Sequence, residues 1–290
     1  MRYTITNEIL KLEVDSRGAE LMSIQTLQDP LEFLWQGDPA YWARRAPILF
    51  PIVGALKDNR YTYKGKTYAM GQHGFARDLD FILIEATADS LIWLLQENPQ
   101  TLQIYPFPFQ LYTTYSLKGN SLSIKHKVSN SGRETMWFSI GEHPGFNCPL
   151  LPGETLSDYS LVFEQEELLD RTLVKDSLLT EEKEPFLHQE RTVPLSPELF
   201  KRKAIVLEKF KSDSLTLVSK NHSRKVTVTL AEYPYLGIWS PQTGAPFICI
   251  EPWYGRASSE DSDGDITRKP GIIALEAGED FHCGFKIIID

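Results

Sequence analysis

FQLYTTYSLKGNSLSIKHKV, residues Phe109–Val128, alternates apolar and polar side chains on both sides of Gly119-Asn120. Phe109, Leu111, Thr113, Tyr115 and Leu117 share one face of the first half; Leu122, Ile124, His126 and Val128 share one face of the second. A period of two is the pattern of a strand with one buried side. Gly-Asn between two such runs predicts a two-residue hairpin, because glycine accepts the positive φ that a tight turn requires. The same logic places a second hairpin around Lys64-Gly65 in YTYKGKTYAM.

Further strands are expected at Asp80–Glu85, Ser90–Gln96, Glu134–Ile140, Lys225–Ala231, Gly237–Ser240, Pro246–Ile250 and Phe281–Ile289. Helix candidates are short: Pro39–Arg45, and Ser196–Arg202 with its Ser-Pro opening. Many short strands without alternating βα units predict an all-β sandwich or barrel. No repeat, linker or compositional boundary interrupts the chain, so one domain spanning residues 1–290 is expected. The acidic stretch Glu164–Glu190, with nine carboxylates against three basic residues, is expected to be a solvated excursion without a chemical role.

The 290 residues are enough for a large core, and 42% hydrophobic content is too high for a disordered chain. A net charge of −9 argues against nucleic acid and anionic membrane surfaces as partners. Cys148, Cys249 and Cys283 form no CxxC pair, which points away from a disulfide framework or a Cys-based zinc site and suits a reducing cytoplasm. The N-terminus reads as a strand rather than a secretory leader. The longest apolar run, Ala46–Leu56, has eleven residues and two prolines, against the roughly 20 that a bilayer-spanning helix needs.

Three segments differ from ordinary strands and turns: GQHGFARD (Gly71–Asp78), SIGEHPGFN (Ser139–Asn147) and CIEPWYGR (Cys249–Arg256). Each sets a titratable residue beside glycine or proline and an aromatic, which is how a rigid strand end presents a polar group to a ligand. Singly, each also fits a backbone-bonded loop histidine or a strand-end charge.

Taken together, FPIVGALKDNRYTYKGKTYAMGQHGFARD, WFSIGEHPGFN, FICIEPWYG, the closing EDSDGDITRKPGIIALEAGEDF and the early SRGAEL resemble the aldose 1-epimerase (galactose mutarotase) family, closest to its bacterial LacX-like branch. The resemblance covers essentially the whole chain. It implies a β-supersandwich with a sugar cleft; no cofactor and no metal are expected. It also implies an isomerase that opens and recloses a hexopyranose ring, with Glu251 as the base at the C1 hydroxyl. His143 is then the acid at the ring oxygen, and His73 a second histidine binding or polarising hydroxyl and ring oxygens. These residue types suit the chemistry: histidine titrates near neutrality, and a carboxylate desolvated by Pro252 and Trp253 has its pKa raised toward working pH. Trp253, Phe75 and Phe146 are the candidate platform under the sugar, and Arg77 the candidate clamp on its hydroxyls.

Two departures from the family pattern stand out. Ala55 occupies the position where many members carry arginine, leaving Arg77, Arg45 or Arg60 to substitute. GEHPGFN replaces the NHTYFNL-like form, and the substrate-binding aspartate has no counterpart, so a galactose preference is not implied.

Other chemistries fit less well. A glycosidase would pair Glu142 with Glu251, but alternation turns Glu142 away from any cleft that presents His143. The six histidines show no HxH or HExxH spacing, and His126 lies on an apolar face, where a hydrogen-bonded core histidine is expected. Asp261–Asp265 lacks the glycine and glutamate of an EF-hand and is expected to be a solvated loop. A hexose-6-phosphate mutarotase would need basic residues near C6, with Arg44, Arg45, Arg77 and Arg256 available. A sugar-binding protein without turnover would not need a matched acid and base.

Overall fold

The computed structural model describes residues 1–290. Its architecture is the all-β one expected. One antiparallel sheet runs in the order Ile48–Leu49, Ile140–Glu142, Phe247–Tyr254, Tyr235–Trp239, Ile205–Glu208, Tyr159–Lys175, Ser214–Ser219, Lys225–Thr229, Asp280–Ile289, Ser121–Asn130, Phe109–Lys118, Ser90–Gln96 and Ile82–Ala86. Gly145–Asn147 adds to Phe247–Tyr254, and Leu178–Pro194 adds to Tyr159–Lys175. A separate three-stranded sheet is made by Arg2–Thr6, Leu10–Asp15 and Leu21–Thr26. The arms of the long sheet close over a common core: Trp93 and Tyr115 from one arm and Leu215 and Ile250 from the other belong to one buried cluster. No helix is long and apolar enough to cross a membrane.

The hairpin at Gly119-Asn120 forms as predicted, with Lys118 opposite Ser121 and Tyr115 opposite Ile124. Every alternate residue from Phe109 to Leu117 is buried. Burying a large apolar side chain contributes about 1.5–3 kcal/mol, so a one-residue slip that turned this face to water would cost several such terms. Lys64-Gly65 likewise joins Arg60–Tyr63 to Lys66–Ala69.

The helix predictions need correction. Pro39–Arg45 holds only turns and bends, because the Glu20 carboxylate takes the Arg45 and Ala46 amides at 2.7 and 3.0 Å and draws the chain out of helical register. Ser196–Arg202 contains a 3-10 turn, Pro197–Phe200. The one α-helix, Pro99–Ile104, was not predicted; Asn98 caps it by accepting from the Gln100 and Thr101 amides.

The acidic stretch also departs from expectation. It folds mainly into Tyr159–Lys175 and Leu178–Pro194, two 17-residue strands joined at Asp176-Ser177, both of positive φ. Its tip is not merely solvated: the Leu179 amide donates to Ser258 O, and Leu179 O accepts from the Glu260 amide, both at 3.0 Å. Glu167 is buried and accepts from the Lys211 and Ser212 amides and the Ser212 hydroxyl. Asp261–Asp265 is a loop that bonds to itself, with Asp263 accepting from the Asp265 amide and held by Arg268.

Candidate active site

Alternation along Phe247–Tyr254 sets Ile248 and Ile250 into the main core and turns Cys249, Glu251 and Trp253 to the opposite face. Glu251 and Trp253 line a cavity of about 500 Å³. The Trp253 indole fits there because two neighbours are glycines. A Cβ at Gly237 would lie 2.4 Å from the indole, and one at Gly141 would lie 2.6 Å from it.

His143 follows the short strand Ile140–Glu142, whose neighbour in the sheet is Phe247–Tyr254. Its Nε2 lies 3.2 Å from Glu251 Oε2, without the alignment of a hydrogen bond, and Oε2 has no other partner. The imidazole packs over Trp42 at 4.7 Å between centroids and meets Trp239 edge-on at 5.8 Å and His73 at 5.6 Å. Burial pushes the Glu251 carboxyl well above the usual carboxylate range, offset only in part by the Trp253 indole N–H. Burial also pulls His143 down to about 3. The two directions agree: burial disfavours charge on both groups and favours a neutral carboxyl beside a neutral imidazole.

His73 sits in the left-handed region at φ 66°, an uncommon conformation for a residue with a side chain. Two backbone-linked contacts hold it. Its amide donates to Gly54 O at 2.8 Å, and the Gly54 amide donates to His73 Nδ1 at 3.1 Å. Since an amide N–H can only donate, Nδ1 is the acceptor and the neutral ring carries its proton on Nε2. The Gln72 carboxamide lies 3.1 Å from Nε2, and because Nε2 carries the proton, the amide must present its oxygen, not its nitrogen, to accept there. Burial first, then the charges of His143, Arg77 and Arg44, pull the His73 pKa well below its ordinary value. At neutral pH His73 is therefore an uncharged N–H donor. Gly74, at φ 69°, makes this loop possible, because a Cβ there would stand 2.3 Å from Phe50 O.

Arg77 reaches the cavity from the 3-10 turn Ala76–Asp78 and donates to Gln72 O at 2.6 Å. Its neighbour Asp78 is held chiefly by Arg44 at 2.8 Å, with Arg77 Nε 3.8 Å away. The SRGAEL segment braces this turn: Gly18 packs on the Arg77 backbone and donates to Leu79 O at 2.7 Å.

The structure thus brings together Glu251, His143, His73, Arg77 and Trp253. It does not bring Phe75 or Phe146 to the cavity. Both belong to the main core cluster, Phe146 fully buried and Phe75 against Phe50, Tyr105 and Phe109. They are near His73 and His143 in sequence, but their side chains point inward. The aromatic walls are instead Trp42 and Trp239 together with Trp253. Arg45, Arg60 and Arg256 also lie elsewhere, bonded to Gln36 O, Asp58 and Glu208 respectively. Lys201, Lys203 and the hairpin residues Val174, Ser177 and Leu179 are also among the lining. None of these five was singled out in the sequence, because none belongs to a motif: Val174 and Leu179 lie near the joined ends of the two long strands, Ser177 is in the turn between them, and Lys201 and Lys203 follow the 3-10 turn.

A sequence model of the aldose 1-epimerase family matches residues 1–271. The chain belongs to that family. The epimerase is 36% identical to the chromosomal LacX protein of Lactococcus lactis subsp. lactis over 281 residues, 94% of each chain. Its structure superposes on a galactose mutarotase related enzyme from Lactobacillus acidophilus with a TM-score of 0.96 and 37% identity, covering 100% of this chain and 97% of that one. A galactose mutarotase-like protein from Lactobacillus casei gives 0.94 and 32%, with full coverage of both chains. The fold is the galactose-mutarotase-like β-supersandwich, and the epimerase is an isomerase acting on carbohydrates.

Proposed function

We propose that the protein interconverts the α and β anomers of a hexose, with Glu251 and His143 as the proton-transferring pair. The observation that carries this reading is their 3.2 Å approach at the wall of a cavity of about 500 Å³. In the productive form of the pair, Glu251 is ionised and His143 protonated, which needs the single proton the pair already holds. Glu251 takes the proton from the C1 hydroxyl as His143 gives its own to the ring oxygen. The C1–O5 bond breaks, the C1 aldehyde turns about C1–C2, and reversal of both transfers closes the ring on the other face. His73, neutral, donates from Nε2 to a sugar oxygen, and Arg77 holds hydroxyls with its fork of donors. Trp42 and Trp253 offer apolar surface to the C–H faces.

Anomer exchange of α-glucose and α-galactose, followed by polarimetry or NMR, tests this. Wild-type protein should accelerate at least one of them, and failure with every sugar offered would sink the reading.

A phosphorylated hexose is the second reading, and the cavity lining favours it. Lys201, Lys203 and Arg77 face a cavity in which Glu251 is the single carboxylate, so the local field opposes the overall charge of −9. Offering the 6-phosphates in parallel separates the two. If the anion is recognised here, the Lys201→Ala, Lys203→Ala double variant raises KM about tenfold for the 6-phosphate and leaves the free sugar unchanged. Equal effects on both would exclude it.

A further inference from the structure

Cys249 and Glu251 share one face of their strand, and His143 reaches the same point from the adjoining chain. The thiol sulfur, an imidazole nitrogen and a carboxylate oxygen lie within 4.8 Å of one another, and all three residues are buried. Glu251 Oε2 is buried and has no hydrogen-bond partner. We propose that these three side chains bind a divalent cation of the zinc class and that the bound ion blocks turnover.

The donor set selects the ion. Sulfur, nitrogen and one carboxylate oxygen match zinc or cadmium, whereas magnesium and calcium require shells of oxygen. Zinc–ligand bonds of about 2.0–2.3 Å place tetrahedral donors roughly 3.3–3.8 Å apart. His143 and Glu251 already approach to 3.2 Å, and the thiol sulfur lies within 4.8 Å of both, so about an ångström of adjustment brings it to ligand spacing. Glu251 and His143 line the cavity, which gives the ion an entry path and leaves its fourth position to water. The spacing of ligands in sequence hides such a site, because they come from two paired segments about a hundred residues apart. Coordination occupies the lone pairs that Glu251 and His143 use to move protons. The inhibitory half of the proposal therefore rests on their proposed roles, while the binding half does not.

Metal-stripped full-length protein is titrated with Zn²⁺ against a chromophoric chelator, and separately with Co²⁺ while the thiolate-to-cobalt charge-transfer absorption is read. One ion per chain with a thiolate band is expected, and Cys249→Ser should lose the band and bind about tenfold or more weakly. Equal binding by wild type and Cys249→Ser, or a wild-type cobalt complex without the band, overturns the site. If the serine variant does not fold, the wild-type cobalt spectrum alone decides. With any sugar that is turned over, Zn²⁺ should inhibit and EDTA should restore the rate, and Cys249→Ser should keep its metal-free rate and resist the ion. Binding without inhibition overturns the second half. Binding by a protein inactive on every sugar leaves the site standing and counts against the mutarotase reading alone.

Discussion

Two buried histidine–glutamate contacts start one residue apart along the same segment and turn to opposite faces. Glu142 turns inward, its Oε1 2.8 Å from His126 Nε2, while Thr113 Oγ1 lies 3.0 Å from His126 Nδ1. His143 turns outward to Glu251 at 3.2 Å. The inner side chains are 1% and 2% exposed; the outer histidine is 11% exposed beside a carboxylate at 2%. The inner contact is sealed by protein on every side, whereas the outer one lines a cavity; each pair leaves one histidine nitrogen and one carboxylate oxygen without a hydrogen-bond partner. What separates the two pairs is access to a cavity, not residue type. Strand alternation alone sends the two in opposite directions.

The largest effect that tests this contrast is Glu251→Gln. The amide keeps the shape and removes the base, so kcat should fall by about 10²–10⁴-fold, the usual worth of a positioned proton transfer. Sugar binding, read by calorimetry, should stay within a few-fold. Turnover at the wild-type rate would remove Glu251 from the chemistry and dissolve the distinction.

Glu142→Ala should move a different quantity. It leaves His126 without its buried partner, at a cost of about 1–3 kcal/mol in unfolding free energy, measured by denaturant titration. Turnover per folded molecule should remain within a few-fold of wild type. If Glu142→Ala lost activity as deeply as Glu251→Gln while staying folded, the inner pair would belong to the mechanism after all.

Smaller again is Trp42→Ala. The ring stacks on His143 and Phe247, and an aromatic contact of this kind is worth about 0.5–1.5 kcal/mol, or up to roughly tenfold in KM. A change in kcat with KM untouched would mean that Trp42 steers the imidazole instead of holding the sugar.

The same geometry explains what could be read from the sequence. The hairpin at Gly119-Asn120 was legible because alternation and turn chemistry are local, and Glu142 was correctly turned from the cleft by that alternation. Glu251, His143, His73, Arg77 and Trp253 were legible because motif residues at strand ends and tight loops carried the family pattern. Phe75 and Phe146 were misplaced because nearness along the chain says little about direction: Phe146 lies three residues from His143 and points into the core. Trp42 and Trp239 could not be found that way, since they meet His143 only through the tertiary fold. Gly237 offered one clue. It pairs with Glu251 and shares its face with Trp239, but using that clue requires the strand register in advance. The tip of the acidic hairpin was lost for a related reason: its composition reads as solvated, while Leu179 at its end is fixed to the Ser258–Glu260 segment.

The pH profile is the smallest expected change and the finest test of the outer pair. An ordinary histidine titrates near 6.5, so a lone catalytic imidazole would bend kcat/KM there. In the pair, His143 is pulled down to about 3 and Glu251 is pushed well above the carboxylate range. A second proton therefore joins the pair only in acid, and Glu251 gives up its own only well above the ordinary carboxylate range. Conversion to the productive carboxylate–imidazolium form moves that proton within the pair without involving solvent. His73, pulled below its ordinary value, is uncharged near 6.5 as well. The expected profile of kcat/KM for a neutral sugar shows no inflection near 6.5. An inflection near 6.5 that disappears in His143→Gln would show that His143 titrates independently of Glu251, and the coupling that distinguishes this contact would be lost.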